Sequence, residues 1–342
     1  PGCVGASTAR AGTDAMESAD GAKRGDSVVV RAGVLPLVFT APHAIFLSRD
    51  DAEVHQPESL TGWLCDSLAT SLRAASITWS PAEISRSSQT RAPNPQNRDP
   101  NHLLDSELAT NPWNAALADL LRRWPRFSCL LVDIHGRRDP VGEAASTLGP
   151  GDVDIGLGAL QAEAPAQAQL LRENLAASLA AVFELHGFTV NPNPALTGRG
   201  PPPRCTVTQQ AVRCGQVAVQ LELSLRLRRA LHADEALLEA FGAALRDASL
   251  AVHPLCTLLS DVGARLRPAW ASAATVASVA SKLADVGIDS PAALAAALDR
   301  RDGAHQLNEA LSAAGHKTLR TSTLSVMREV LASEFATPMG IS

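Results

Sequence analysis

The chain has 342 residues, 46% of them hydrophobic, enough apolar material for one large domain or two ordinary ones and too much for a wholly disordered chain. Its formal net charge of −5 offers no basic footprint for a nucleic-acid backbone or an anionic membrane surface, so neither partner is expected. Residues 28–30 and 34–40 read as short apolar strands, the second bent at Pro36. Leu60, Trp63, Leu64, Leu68 and Leu72 recur at helical spacing over 59–72. A short strand follows at 77–79, and 85–100, with Pro93, Pro95 and Pro100 among Asn and Arg, reads as a loop. Asn111-Pro112 caps and opens a helix reaching about Trp124. The continuous apolar run 129–134 predicts a strand buried on both faces. A long Ala/Leu helix spans 165–186 with Gly187 as its stop, followed by a strand at 188–190 and a long loop at 191–203. A second buried strand covers 216–225, and an amphipathic helix covers 234–252. Strands alternating with helices predict a three-layer α/β/α domain with a mixed, largely parallel sheet over residues 27–260.

After His253-Pro254 the character changes, and from Trp270 to Phe335 several short helical patterns recur, with stops at Gly287, Gly303 and Gly315. Val276, Val279, Leu283, Ile288, Leu294, Leu298, Leu307, Leu311, Leu319, Leu324 and Met327 supply a small apolar core. They predict an all-α module over 268–337, similar in length and rhythm to SAM-like bundles, for packing, self-association or a protein partner. At the other end, residues 1–26 are rich in Gly, Ala and Ser and lack the basic and apolar blocks of a secretory leader, so a flexible tail is expected. No run approaches the roughly 18 apolar residues of a membrane helix. The cytoplasm is the default compartment, with any targeting segment upstream of Pro1 outside the sequence. Tyrosine is absent, so no phenol is on hand for proton transfer. The six cysteines form no CxxC pair. Cys65 and Cys129 fall in apolar patterns as small core residues, while Cys205 and Cys214 could face each other across a hairpin, a disulfide that a reducing default disfavours.

Four short islands carry chemistry, each at a strand end, in the loop beyond it or at the helix that follows, where ligands bind in open α/β sheets. They are Thr40-Ala41-Pro42-His43, then Glu58 at the start of the next helix, then Asp133-Ile134-His135-Gly136-Arg137-Arg138, and finally Gln220-Leu221-Glu222-Leu223-Ser224 with Arg226 just beyond. Two imidazoles and a carboxylate with an open fourth position form the usual donor set of a hydrolytic zinc site. His43, Glu58 and His135 supply those types, although their spacing carries no signature and a lone histidine after a strand is more often structural. Glu222 sits inside the apolar run 217–225; either it is buried with a partner, since a buried unpaired carboxylate is costly, or it faces solvent by alternation. Asp133 points to the same side of its strand as His135 and either orients that imidazole or caps the turn. Asp154 follows a Gly-rich loop able to shape a pocket. Arg226, Arg228 and Arg229 make a basic cluster whose ordinary meaning is a solvated face. HExxH, GxSxG and GxxxxGK motifs are absent from the sequence.

The order of these elements carries more than any one of them. Pro42-His43 after an early strand, Glu58 ahead of Thr61, Asn97-Arg98-Asp99-Pro100-Asn101, Asp133-Ile134-His135-Gly136, Asp154-Ile155-Gly156, Thr206-Val207-Thr208 and Gln220-Leu221-Glu222 make residues 28–230 resemble the N-formylglutamate amidohydrolase-like family, which has a zinc-carboxypeptidase fold. The resemblance implies a Zn2+ ion held by His43, Glu58 and His135, with Glu222 as general base or acid beside it. It implies further that Arg98 or Arg137 grips a substrate carboxylate or polarises the scissile carbonyl, with Asp133, Asp154, Thr208, Gln220 and Arg226 around the pocket. The expected activity is hydrolysis of an amide or peptide bond in a small-molecule or peptide substrate with a free carboxylate, which suits an arginine fork. The chain departs from the family pattern where Ala44-Ile45-Phe46 follow the first Pro-His in place of small residues including Gly. Asp50, Asp51, Glu53 and His55 compete with Glu58 for the second ligand position. The Asn-Arg element running into Asp-Pro-Asn points to a branch with another substrate. The rival expectation is a non-catalytic α/β scaffold whose C-terminal helices bind a partner protein or a second copy of the chain.

Overall fold

In the computed structural model, which describes residues 23–24, 27–49, 53–124, 126–139, 151–267, 270 and 273–336, the chain builds one large sheet. Its strands are β1 (Lys23–Arg24), β2 (Val28–Arg31), β3 (Leu37–Thr40), β6 (Ala75–Trp79), β8 (Leu130–Arg137), β9 (Val153–Gly156), β10 (Val190–Asn191) and β12 (Val217–Ser224). Two ribbons flank it, β4 (Leu47–Ser48) with β5 (Val54–His55) and β7 (Leu103–Leu104) with β11 (Arg204–Cys205). The eight-stranded order is β1-β2-β6-β3-β8-β12-β9-β10. β6, β3, β8 and β12 run parallel, while β2 and β9 are antiparallel to their inner neighbours. The two long strands β8 and β12 pair residue for residue from Leu130↔Val217 to Arg137↔Ser224. Leu131, Val132, Val219 and Leu221 are fully buried, as strands covered on both faces require.

The helices of this unit are α1 (Thr61–Leu72), α2 (Pro81–Thr90), α3 (Pro112–Leu121), α4 (Gly158–Glu163), α5 (Pro165–Phe183), α6 (Val207–Arg213), α7 (Leu225–Ala233) and α8 (Glu235–Val252). α1, α5 and α8 pack together on one face of the sheet and α3 and α6 on the other, which makes the three layers. Local signals explain the boundaries. Asn111 accepts from the backbone N–H groups of Trp113 and Asn114 at the start of α3, and Gly187 takes the left-handed φ of 75° that ends the α5 segment. The stretch expected as a loop over 85–100 is helical as far as Thr90, because Ser80 caps and Pro81 opens α2 upstream of the Pro/Asn run.

The C-terminal helices are α9 (Pro254–Leu266), α10 (Ala273–Asp285), α11 (Pro291–Asp299), α12 (Gly303–Ala313) and α13 (Thr321–Ala336). Gly303 therefore opens a helix and does not end one, whereas Gly287 and Gly315 adopt the positive φ of helix stops. Their apolar core takes in Leu250 of α8 and Leu255, Leu258, Leu259 and Val262 of α9, and joins Val276, Leu283, Leu294, Leu311 and Met327. Of residues 261–267, expected as the stretch between two domains, 261–266 are the end of α9 and Arg267 is its extended C-cap. Of the tail expected over 1–26, Lys23–Arg24 pair with Val29–Val30, and residues 1–22 and 25–26 lie outside the described residues. Cys205 and Cys214 are free thiols separated by α6, not hairpin neighbours. Among the described residues no helix is long and apolar enough to cross a membrane.

Core and surface differ sharply in what they tolerate. Leu131→Ala, at a fully buried β8 position, should cost about 2–5 kcal/mol in denaturant titrations. Leu185→Ala, at a side chain 88% exposed, should stay within about 0.5 kcal/mol.

Candidate functional site

Three chain segments meet at the carboxyl ends of the parallel strands. β3 ends at Thr40, and the 3-10 turn Pro42–Ala44 that follows carries His43. β8 presents His135 near its own end. Glu58 precedes α1 and is turned back toward both histidines. Its N–H donates to the His43 carbonyl at 2.8 Å, its carbonyl accepts from Thr61 Oγ1 at 2.8 Å, and Leu60 takes a left-handed φ of 70° to make the bend. Such a conformation is rare for a branched residue and persists where the surroundings impose it.

The Glu58 carboxylate bridges the two imidazoles. Oε1 lies 2.9 Å from His43 Nδ1, while Oε2 accepts from the Gly136 N–H at 2.7 Å and lies 3.5 Å from His135 Nδ1. Each imidazole is held from behind by an aspartate. His43 Nε2 is 3.0 Å from Asp99 Oδ1, and His135 Nε2 is 2.9 Å from Asp133 Oδ2. Ionised carboxylates only accept, so both Nε2 atoms carry hydrogen and both Nδ1 atoms face the shared carboxylate. The aspartates are anchored in turn: Asp133 by Thr40 Oγ1 at 2.6 Å, Asp99 by Arg49 Nε at 2.6 Å and by the Asn101 N–H at 2.9 Å. His43, Glu58 and His135 each offer one ligand atom, all within 4.8 Å of one another, and could hold a metal ion. His43, His55 and Asp99 form a second such group.

Charge is concentrated here under little solvent. Burial drives the His43 imidazolium toward neutrality, but Asp99 and Glu58 outweigh it and hold its pKa up at about 9, with His135 opposing them. His135 is likewise raised well above the usual histidine range: burial is outweighed by Asp133 and Glu58. Glu58 lies well below the carboxylate range because His43 and His135 overcome its burial. Asp99 is lowered for the same reason, against its burial, by His43 and Arg49.

A cavity of about 390 Å³ opens onto the cluster and is lined by His43, His55, Glu58, His135, Arg137, Gln220 and Glu222, among others. Glu222 lies opposite His135 in the β12–β8 register and is buried. Its Oε1 accepts from Gln220 Nε2 at 2.6 Å. Burial pushes its pKa up, and Glu58 adds to the rise while His135 opposes it. The alternative of a solvent-facing Glu222 is therefore not what the fold adopts. Arg137 Nε lies 3.5 Å from the buried Asp154, and among the described residues neither Arg137 Nε nor Nη2 has a hydrogen-bond partner.

Other expected site residues stand elsewhere. Arg98 points away: its Nη2 lies 3.2 Å from Glu107, and it lines a different cavity with Glu83 and Asn94. Arg226 binds the buried Asp152 through Nε at 2.7 Å and is half exposed, outside the pocket. Thr208 donates to the Gly198 carbonyl beneath the 191–203 loop and supports the pocket wall without lining it. Asp133 does orient His135. Among the rival ligands, His55 contacts Glu58 at 3.2 Å, Glu53 is exposed, and Asp50 and Asp51 lie outside the described residues. Asp99 and Asn101 have no expected role of their own in the sequence, and Arg49 carries no signal there. The aspartate and asparagine sat in a motif whose arginine drew the attention. Arg228, expected on a solvated face, is buried.

No family model, no curated protein and no solved structure matches the chain. The site stands on its geometry.

The raised His43 pKa has a sign that can be tested. In metal-free protein His43 contributes stability fully below its ordinary value of 6.5, and that contribution is lost as pH rises through about 9. Glu58 acts oppositely, contributing above its ordinary 4.5 and losing that contribution as pH falls. Chelator-treated protein should therefore lose melting temperature between about pH 6.5 and 9, and His43→Gln should flatten that slope. An unchanged slope in the variant would refute the linkage.

Proposed function

We propose that this chain is a metal-dependent hydrolase, with zinc as the metal, that cleaves an amide or peptide bond in a small carboxylate-bearing substrate. The observation that carries the reading is the Glu58 carboxylate shared by two Nδ1 atoms whose Nε2 hydrogens are taken by Asp99 and Asp133. Histidines oriented by carboxylates in this way are characteristic of metal ligands, and two imidazoles with one carboxylate suit zinc with an open position. The motif order resembling the N-formylglutamate amidohydrolase-like family points the same way. Bound zinc supplies Lewis acidity and lowers the pKa of water.

The chain's own residues supply the rest. His43 and His135 would hold the ion through Nδ1 and Glu58 through a carboxylate oxygen. Glu222 Oε1 is engaged by Gln220, which leaves Oε2 to take the proton from water and pass it to the leaving amine nitrogen. A carboxylate with a raised pKa suits both halves of that transfer. Arg137 lines the cavity beside Asp154, and its guanidinium would grip a substrate carboxylate or the scissile carbonyl oxygen.

Metal analysis should find about one zinc per chain in the wild type, lost in His43→Ala/His135→Ala protein. On a panel of N-acyl amino acids and dipeptides, Glu222→Gln should keep the metal and lose at least about 100-fold in turnover. Arg137→Ala should weaken substrates with a free carboxylate by about 2–4 kcal/mol. Undiminished zinc in the double variant sinks the ligand assignment, and full activity of the Gln variant sinks the role of Glu222. Wild type with neither metal nor activity would leave the non-catalytic scaffold.

A further inference from the structure

Arg228 is a charged side chain with 4% exposure that makes no ion pair shorter than 4.0 Å among the described residues. Its guanidinium is spent on three backbone carbonyls. Nε donates to Leu223 O at 3.2 Å, Nη2 to Arg137 O at 2.9 Å, and Nη1 to Ser59 O. The identity of those carbonyls is the point. Ser59 follows Glu58, Leu223 follows Glu222, and Arg137 stands two residues after His135. One planar fork thus grips the chain beside three of the groups that face the cavity, on the start of α1 and the ends of β8 and β12. The approach requires Gly136, where a Cβ would lie 2.5 Å from the guanidinium carbon. Gly136 also donates its N–H to Glu58.

We propose that Arg228 is a positioning residue for the metal site, fixing the separation of Glu58, His135 and Glu222 through their backbones without touching metal or substrate. This rests on the metal-site reading above. Only arginine fits the role: the guanidinium directs several N–H groups in one plane at once, whereas a lysine ammonium is a single point on a flexible stem. Loss of the fork lets the α1 start move relative to β8, and Glu58 with it.

The test is metal affinity, by competition with a chromophoric chelator, and the visible absorption spectrum of cobalt-loaded protein, alongside the melting temperature of the metal-free form. Arg228→Lys should weaken cobalt or zinc binding by about 10–100-fold, the usual effect of losing an outer support of a metal site, and should alter the cobalt spectrum. Gly136→Ala displaces the guanidinium from the other side with no ligand residue and not Arg228 itself substituted, and carries the test if the lysine variant does not fold. The double variant should be no weaker than the worse single one, because both remove the same clamp. Arg226→Lys, two residues away and outside the pocket, should bind as the wild type does. Wild-type affinity and spectrum in both single variants, or strictly additive losses, overturn the positioning role while the metal-site reading stands. A wild-type protein that takes up no metal overturns both.

Discussion

A carboxylate wedged between two imidazoles in a site of little solvent access has to be matched in charge, and the architecture around Glu58 follows from that requirement. Glu58, Asp99 and Asp133 face His43, His135 and Arg49. With no cation bound, the imidazoles must carry protons to offset the carboxylates, which is why both histidines are raised and Glu58 and Asp99 are lowered. A divalent cation between two neutral imidazoles gives the same balance. A metal ion held there would take the place of those protons, and its uptake would release them. An ion-pair cluster buried in this way is weak evidence of stability, because desolvation offsets much of the Coulombic gain.

The sheet makes the cluster possible. Parallel strands bring their carboxyl ends to one edge, so β3, β8 and β12 deliver His43, His135 and Glu222 to one neighbourhood from distant parts of the sequence. The strands set positions along the edge, and the loops then have to be pinned. The 191–203 loop is fixed where the Gly158 N–H donates to the Thr197 carbonyl at 2.6 Å and where the Thr206 and Thr208 hydroxyls both hold the Gly198 carbonyl. Gly158 has no room for a Cβ at this contact, with Thr197 Oγ1 2.5 Å away. The result leaves Leu196 exposed at the cavity mouth.

Much of this was legible in the residues, and the failures have physical causes. β8, β12, α3 and the stop at Gly187 follow from apolar runs, a cap and a glycine, all local signals. His43, His135 and Glu222 were legible because they interrupt or terminate apolar strands, where a polar group needs a reason. Arg98 and Asp99 could not be separated. Neighbouring residues in extended chain point opposite ways, and Asp99 is extended, but no periodicity in a loop says which of the two faces inward. The same holds in reverse for Arg226 and Arg228. On α7 positions two apart lie about 200° apart around the axis, so one arginine turns to solvent and Asp152 while the other turns into the core. A basic cluster read as one surface hides that division. α9 escaped notice because a change of rhythm after His253-Pro254 resembled a boundary, when Pro254 was the first residue of a helix.

The two donor groups share His43 and cannot both be filled through it in the same way. In the group with His55 and Asp99, Asp99 would turn from orienting partner into ligand. Asp99 is already committed on both oxygens, to Arg49 through Oδ2 and to the Asn101 N–H through Oδ1, and a cation there would sit beside the Arg49 guanidinium. In the group with Glu58 and His135, the bonds from Asp99 and Asp133 to the Nε2 atoms are kept, and they leave the Nδ1 lone pairs directed at the cation once its proton is lost. Only Glu58 has to exchange partners, and its oxygens already lie against both Nδ1 atoms. Beside His135, Asn101 is held by the Val207 N–H, which donates to its Oδ1 at 2.7 Å. The group of His43, Glu58 and His135 therefore accepts a cation with the fewest bonds broken, and His55, 3.2 Å from Glu58 Oε1, is left to hold that carboxylate from outside.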